Sequence, residues 1–121
     1  MQFAPKNFHK KLLGSVGEKR AAEYLLNAGY EILAKNFKTR VGEIDIIARK
    51  DQTIVFVEVK TRSSDDFGAP SEAVGNKKRK KYALVAEEYL LRNKCTDAAC
   101  RFDVIEIEND GINHIEDAFS T

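Results

Sequence analysis

The spacing of apolar residues along the chain predicts two helices and five strands. Apolar residues recur with a helical period between Phe8 and Ala28, and Gly29 then supplies the left-handed position at which helices commonly end. A second helix is predicted over residues 82–90, where apolar positions fall at helical spacing, and Asn93 marks its end. Short apolar or alternating segments predict strands at residues 30–37, 41–49, 54–61, 102–107 and 112–115.

The order of these elements indicates the fold class. A helix, three strands, a second helix and two further strands favour an α/β or α+β layer structure with a mixed sheet. The chain has 121 residues, 43% of them hydrophobic, which suits a single domain over residues 1–121 with one ordinary core. The polar residues 63–70 are predicted to form a loop between the third strand and the second helix.

The distribution of charge changes what the total suggests. The 20 Lys and Arg residues nearly balance the 19 Asp and Glu residues, and the net charge of +1 points to neither a nucleic acid nor a membrane. Residues 1–96 nevertheless carry +7 and residues 97–121 carry −6. The N-terminal residues lack the apolar stretch of a secretory signal, and no apolar run approaches the roughly 18 residues of a transmembrane helix. We therefore expect a cytoplasmic protein with no membrane partner and an anionic ligand on its basic part.

Two charged residues interrupt the third predicted strand, which is otherwise apolar. Glu58 and Lys60 point to the same face of that strand, roughly 7 Å apart, because side chains alternate with a period of two. A buried carboxylate is costly unless it is paired or binds a metal. Asp45, on the preceding strand, lies opposite Glu58 only if the turn over residues 50–53 leaves Arg49 paired with Ile54. We predict that register, since a slip of one residue would separate the two carboxylates.

Two interpretations of these residues follow from the spacing. In the first, Asp45, Glu58 and the backbone carbonyl of Val59 form a site of hard oxygen ligands suited to Mg²⁺ or Mn²⁺. A divalent ion there would acidify a bound water, while Lys60 would orient that water or stabilise charge developing on phosphorus. In the second, Lys60 forms an internal ion pair with Glu58 or Asp45 that holds the strands in register. The spacing alone does not separate the two.

A run of basic residues at the start of the second helix is the candidate for binding a polyanion. Helical geometry turns about 100° per residue, so five successive cations cannot share one face. Cations at a helix N-terminus oppose the helix dipole, and an anionic partner would explain them; a solvated helix face is the alternative. No aromatic residue interleaves the run, which favours contact with a phosphate backbone over base stacking. The run is Lys77, Lys78, Arg79, Lys80 and Lys81, and Lys35, Lys38, Arg40 and Arg62 add positive charge on nearby segments.

Several segments together resemble a known family. They are Gly17-Glu18, Gly42-Glu43-Ile44-Asp45, Phe56-Val57-Glu58-Val59-Lys60-Thr61-Arg62 and the stretch from Lys77 onward. These segments resemble the YraN-like family of bacterial proteins, which is assigned to the restriction-endonuclease-like superfamily near the archaeal Holliday-junction resolvases. Within them, Asp45 followed by Glu58-Val59-Lys60 is similar to the Asp…Glu-x-Lys active-site signature of those nucleases. The resemblance covers residues 14–119.

The resemblance carries expectations about fold, activity and site. It implies an α/β fold of the restriction-endonuclease-like type, with a mixed sheet of about five strands flanked by helices. It also implies Mg²⁺-dependent cleavage of DNA phosphodiester bonds with Asp45, Glu58 and Lys60 as the catalytic set. By the same resemblance, Glu18 corresponds to a first-helix glutamate that assists metal binding.

Glu18 also has an explanation that involves no metal. Ser15-Val16-Gly17-Glu18 fits a capping box, in which Ser15 is the N-cap and Glu18 reaches back to it. That explanation fails if the helix begins near Asn7 or Phe8, and the metal interpretation then gains. Glu43 shares a strand face with Asp45 and is favoured as a solvated strand-end carboxylate over a spare ligand.

The leading functional hypothesis is a metal-dependent endonuclease-like protein that acts on DNA, including branched or structured DNA. A nucleic-acid-binding module with the same fold and no turnover is the first alternative. A structural or adaptor protein, with the acids and bases serving only as an ion-pair network, is the second. Because symmetric cutting needs two sites related by a two-fold axis, a homodimer is a further expectation. His114, on the last predicted strand, is expected to be exposed at the sheet edge.

Overall fold

The computed structural model describes residues 8–62 and 75–119, which form a mixed five-stranded sheet with two helices. This confirms the predicted α/β class and is consistent with a restriction-endonuclease-like fold. The loop predicted at residues 63–70 lies outside the described residues. The elements follow one another as α1 (Phe8–Asn27), β1 (Glu31–Lys38), β2 (Glu43–Lys50), β3 (Thr53–Thr61), α2 (Asn76–Arg92), β4 (Ala99–Glu108) and β5 (Gly111–Ile115).

The strands lie side by side in the order in which they occur along the chain. The β1–β2, β2–β3 and β4–β5 pairs are antiparallel, whereas β3 and β4 are parallel. A parallel pair cannot be closed by a tight turn, so the chain leaves the sheet between β3 and β4, and α2 forms that crossover. The start of α2 is therefore brought to the end of the sheet at which β3 finishes.

Each helix covers one face of the sheet. On one face α1 packs through Ala21, Ala22 and Leu25 against the sheet, and on the other α2 packs through Tyr82, Val85, Ala86 and Tyr89. Each fully buried Leu, Ile, Val or Phe side chain stabilises the fold by about 1.5–3 kcal/mol. The fully buried apolar strand residues include Ile46, Ile47, Val55, Phe56, Val57 and Ile105.

Helix α1 ends where the sequence predicts, but it begins before the N-cap position that the capping box would require. It ends at Asn27, and Gly29 follows with a φ of +92° in the left-handed region. It begins at Phe8, so Ser15 lies inside the helix and is not its N-cap. The capping-box explanation of Glu18 is therefore wrong.

The register of the β2–β3 hairpin is the predicted one. Arg49 pairs with Ile54 and Lys50 with Thr53. The turn includes Asp51 with a φ of +56°, a conformation that Asp tolerates better than most residues. The pairing continues without a bulge to Ile46 and Val57, and beyond it the backbone N–H of Val59 donates a hydrogen bond to Asp45, so Asp45 lies beside the part of β3 that carries Glu58.

The expectation that His114 is exposed is wrong. Its side chain is only 7% exposed, and its Nε2 lies 2.7 Å from Asp103 Oδ2 on β4. Its Nδ1 lies 2.9 Å from the hydroxyl of Tyr24 on α1. Although β5 is an edge strand, α1 extends over this face of it, which an alternation pattern within β5 cannot reveal.

Candidate functional site

Carboxylate groups from three elements meet at the end of the sheet where β2 begins and β3 finishes. Glu18 comes from α1, Glu43 and Asp45 from β2, and one carboxylate oxygen of each lies within 4.8 Å of the others. Glu58 of β3 lies beside this group, and its negative charge acts on both Asp45 and Glu18. The predicted ligands Glu18, Asp45 and Glu58 are therefore neighbours, and Glu43 joins them.

Asp45 is the most perturbed member of the group. Burial raises its pKa to about 7, and the negative charges of Glu58, Glu18 and Glu43 act in the same direction. One interaction favours its ionised form, since the backbone N–H of Val59 donates a hydrogen bond of 2.8 Å to Asp45 Oδ2. Val59 thus contacts Asp45 through its N–H, and the role of its carbonyl as a metal ligand stays a prediction. A cation among these carboxylates would relieve their mutual repulsion.

The position of Glu18 depends on close packing between α1 and β3. A Cβ atom at the neighbouring Gly17 would overlap the hydroxyl of Thr61, so glycine allows this close approach. Burial raises the pKa of Glu18, the charges of Glu43 and Glu58 add to the effect, and a hydrogen bond from the side chain of Asn36 opposes it.

Asn36 was not identified by sequence reasoning. It lies within β1 with a φ of +50°, a left-handed conformation in which Asn is enriched. The signal in the sequence was a polar amide between Lys35 and Phe37 inside a strand pattern.

Glu58 forms an ion pair with a lysine of α2. Lys78 Nζ lies 2.6 Å from Glu58 Oε1, and the Glu58 side chain is 12% exposed. Lys60 lies two residues further along β3 and is exposed. Within the described residues Lys60 forms no ion pair with Glu58 or Asp45, so the alternative in which such a pair fixes the strand register is not realised.

An open cavity of about 430 Å³ lies between the start of β2 and the start of α2. Lys77, Lys78 and Lys81 line it, together with Glu43 of the carboxylate group. Tyr82 also lines it, and its buried hydroxyl has no hydrogen-bond partner among the residues that the structure describes. Three of the five predicted basic residues therefore converge on a cavity that adjoins the acidic group.

The remaining predicted basic residues lie elsewhere. Lys80 is exposed, and the guanidinium of Arg79 lies 5.6 Å from the centre of the Phe119 ring. Arg62 forms an ion pair with Glu106, and their side chains are only 11% and 4% exposed. The charge of Arg62 is therefore neutralised inside the protein rather than presented at the surface.

The donor set of the carboxylate group fits Mg²⁺ or Mn²⁺. Its ligand atoms are carboxylate oxygens, which these hard cations prefer. Two lysines contact the acids at its edge: Lys38 Nζ lies 3.5 Å from Glu43 Oε2, and Lys78 Nζ lies 2.6 Å from Glu58 Oε1. Burial raises the pKa of Asp45, the neighbouring acids raise it further, and a divalent cation bound there would offset both effects.

Comparison with known proteins places the chain in a family. The family model described as Uncharacterised protein family UPF0102 matches residues 17–107. A UPF0102 protein of Alkaliphilus oremlandii is 53% identical over 115 residues, which are 90% of this chain and 98% of the relative. A UPF0102 protein of Caldanaerobacter subterraneus is 48% identical over 121 residues, which cover 94% of this chain and 99% of the relative.

These matches confirm the resemblance to the YraN-like family. The match begins at Gly17, next to Glu18, and includes β2, β3 and α2, so the carboxylate group and the lysine-lined cavity both lie within it. Among the described residues, no helix is long and apolar enough to cross a membrane. The chain belongs to the uncharacterised protein family UPF0102.

Proposed function

We propose that this protein is a metal-dependent endonuclease that cleaves phosphodiester bonds in DNA, including branched or structured DNA. The observation that carries the proposal is the cluster of carboxylates from α1 and β2, with Glu58 of β3 beside it, next to a cavity lined by three lysines. Metal-dependent phosphodiester cleavage uses both features, because a cation at the reacting phosphate activates water and neutralises charge while basic side chains bind the nucleic-acid backbone.

The proposed metal ligands are Asp45, Glu58 and the carbonyl of Val59, with Glu18 assisting. A bound Mg²⁺ or Mn²⁺ would supply an acidified water and neutralise charge on the phosphate. Asp45 is held in place for this role by the N–H of Val59, and Glu18 by Asn36.

Lys60 has the role of a catalytic cation. It lies two residues after Glu58 on the same strand, and its exposed side chain is free to reach a phosphate in solution. In that position it would orient the attacking water or stabilise the charge that develops on phosphorus.

The lysines at the start of α2 are proposed to bind the DNA backbone. Lys77 and Lys81 are exposed and line the cavity next to Glu43. Ammonium groups recognise phosphate without reading the bases, so this interface would select nucleic-acid shape rather than sequence. This is the reason to include branched DNA among the substrates.

Cleavage of supercoiled plasmid and of a four-way DNA junction in the presence of Mn²⁺ tests the proposal. We expect the wild-type protein to cleave at least one of them and Glu58→Gln to lower the rate by at least about 100-fold, the scale of a lost catalytic group. Glu87→Gln, which alters an exposed carboxylate on α2, is the matched control and should retain the wild-type rate.

The outcomes separate the proposal from its rivals. Cleavage at equal rates by wild type and Glu58→Gln would exclude this site. Salt-sensitive DNA binding with no cleavage under Mg²⁺ or Mn²⁺ would identify a binding module that keeps the fold without turnover. Absence of both metal and DNA binding would leave the acids and bases as a structural ion-pair network.

A further inference from the structure

We propose that Lys78 exchanges between two partners, the carboxylate of Glu58 and a DNA phosphate in the adjoining cavity, and so couples metal binding to DNA binding. The inference rests on the proposed function and adds a regulatory property to its site. Lys78 is therefore a positioning residue, whose state depends on whether Glu58 is bound to a cation.

The geometry gives Lys78 access to both partners. Its Nζ lies 2.6 Å from Glu58 Oε1, while its side chain also lines the cavity together with Lys77 and Lys81. The side chain is 45% exposed, in contrast to 12% for Glu58, so the lysine can leave while the carboxylate stays. The Nζ also lies 5.9 Å from the centre of the Tyr82 ring, which lines the same cavity.

Lys78 and a divalent cation compete for the same carboxylate. The ammonium group of Lys78 binds Glu58 through one positive charge at hydrogen-bond distance. When the carboxylate oxygens coordinate a metal ion, the ion pair with the ammonium group becomes weaker. Lys78 must therefore leave Glu58, wholly or in part, when Glu58 binds a cation. Its four-carbon stem then lets the ammonium turn into the cavity, where Lys77 and Lys81 already concentrate positive charge.

Positive charge in that cavity attracts phosphate, so the release of Lys78 raises the affinity for DNA. The coupling is reciprocal by linkage: if metal raises the affinity for DNA, DNA raises the affinity for metal by the same factor. DNA that draws Lys78 away also removes the competitor from Glu58. The protein would thus fill its metal site most readily when its substrate is in place.

The first test measures Mn²⁺ affinity in the absence of DNA, from the electron paramagnetic resonance signal of free Mn²⁺. Lys78→Met removes the ammonium and keeps the apolar stem, and we expect it to tighten Mn²⁺ binding about tenfold, within the usual range of coupling between linked sites. Lys81→Met is the matched control, because it removes one positive charge from the same cavity without a contact to Glu58. It should change the Mn²⁺ affinity by less than about twofold.

The second test measures the affinity for a short fluorescein-labelled DNA duplex, with EDTA and then with Mn²⁺, by fluorescence anisotropy. In EDTA Lys78 is engaged with Glu58, so Lys78→Met should bind DNA nearly as well as wild type. In Mn²⁺ the same variant should bind more weakly than wild type. Lys81→Met should weaken DNA binding by the same factor under both conditions, since Lys81 forms no ion pair with a carboxylate in the described part of the chain. Thermal unfolding of both variants confirms that they are folded, and gel analysis confirms that the duplex is intact.

Each outcome decides the inference. If Lys78→Met and Lys81→Met both bind Mn²⁺ with the same affinity, the proposed exchange of Lys78 is overturned and the proposed function still stands. A loss of DNA affinity in Lys78→Met that is the same in EDTA and in Mn²⁺ would overturn it as well. A wild-type protein that binds no Mn²⁺ would overturn the proposed function and this inference together.

Discussion

Asp45 shows how the residues of this site conflict with stability. Asp45 is half-buried in β2; burial raises the pKa of its carboxyl group, and three neighbouring acids raise it further. A carboxyl whose pKa is higher in the folded than in the unfolded state destabilises the fold once it ionises. The destabilisation is absent below about pH 4, the ordinary range of an Asp carboxyl, and complete above about pH 7. Such a cost is typical of groups placed for function rather than for folding.

Replacing this one charge should therefore stabilise the protein. A rise in the pKa from 3.8 to about 7 corresponds to about 4 kcal/mol at a pH where the carboxyl is ionised. We expect Asp45→Asn to recover part of this, about 1–2 kcal/mol in the free energy of unfolding at pH 8 with a chelator present, because the amide is also partly buried and accepts a weaker hydrogen bond. Asparagine is neutral at every pH and its side-chain oxygen can still accept the N–H of Val59. Urea unfolding at pH 8 and pH 4 measures the effect, which should nearly vanish at pH 4.

Asp97→Asn provides the control for this comparison, because Asp97 is exposed in the turn before β4. It should leave the unfolding midpoint unchanged at both pH values. A lower midpoint for Asp45→Asn than for wild type at pH 8 would mean that the ionised carboxylate stabilises the fold through its hydrogen bond with Val59.

Asp103 presents the opposite case, a buried carboxylate that the protein itself neutralises. Burial alone would raise its pKa, but hydrogen bonds from His114, Arg101 and the backbone N–H of Asp117 outweigh burial and hold the pKa below its ordinary value. Sequence patterns missed this arrangement because its members come from separate parts of the chain. Tyr24 of α1 and His114 of β5, for example, are ninety positions apart and meet only in the folded protein.

Asp103→Asn should destabilise the protein by about 3 kcal/mol at neutral pH, since it leaves the partly buried guanidinium of Arg101 without its buried carboxylate. A carboxyl with a lowered pKa stabilises the fold above its unfolded pKa, and that contribution is lost as the pH falls through the folded value. The difference from wild type should therefore narrow below about pH 4. Urea unfolding at pH 7 and pH 3 measures it, with the exposed turn residue Asp110→Asn as the control. If Asp103→Asn lowers the free energy of unfolding by less than about 1 kcal/mol at pH 7, the hydrogen bonds around Asp103 contribute little to stability.

At the scale of elements, the sequence pattern predicted the features that depend on residues close together in the chain, such as the register of the β2–β3 hairpin. The turn between β2 and β3 determines which residues pair across the hairpin, and the pairing of Arg49 with Ile54 was accessible for that reason. The partner of Glu58 was not accessible, because Lys78 reaches it only through the way α2 crosses the sheet. The role of Asn36 escaped for the same reason, since it requires α1 to lie over β1. A sequence pattern predicts elements and hairpin register better than contacts between distant elements.

Helix α2 begins without the features that normally stabilise a helix start. Gly75 is its N-cap and provides no side-chain hydrogen bond, and the first turn contains no acidic residue. The first turn instead carries the cations that oppose the helix dipole. A Cβ atom at Gly75 would meet no atom of residues 8–62 and 75–119 within 4 Å, and its φ of −75° suits any residue. Packing against this part of the chain therefore does not impose the weak cap.

Gly75→Asp should stabilise the protein by about 0.5–1 kcal/mol, since the carboxylate can accept a hydrogen bond from the first turn and opposes the positive end of the dipole. The same charge should weaken DNA binding, because it lies close to Lys77 and Lys78. Gly75→Ser offers a neutral cap and should stabilise without that loss. Thermal unfolding and anisotropy measure the two effects.

Gly75→Ala is the control for the cap, because it adds the Cβ atom without a hydrogen-bond acceptor. Equal stability of the Ala and Asp variants would assign the gain to the unfolded chain rather than to the cap. Equal DNA affinity of the Ser and Asp variants would place the nucleic acid away from the start of α2.

At the scale of the whole molecule, the charged residues of segments 1–96 and 97–121 differ in burial and in pairing. Two acids of the C-terminal part, Asp103 and Glu106, are buried and paired with Arg101 and Arg62. The lysines at the start of α2, by contrast, are exposed beside an acidic group that they only partly neutralise. The sequence predicted this excess of positive charge in the first 96 residues, but not that three lysines would line one cavity.

The salt dependence of DNA binding tests whether this cavity meets the phosphate backbone. Each phosphate contact contributes about 0.9 to the slope of log affinity against log salt concentration, because it releases condensed counterions. We expect the double variant Lys77→Gln/Lys81→Gln to lower that slope by about two in magnitude and to weaken binding to all sequences alike. Lys94→Asn removes a positive charge at the other end of α2, at a φ of +54° that asparagine tolerates, and should leave the slope unchanged. If the salt dependence falls equally in the double variant and in Lys94→Asn, DNA binding depends only on the overall charge of the protein. A fall confined to the double variant would locate the phosphate backbone at the start of α2.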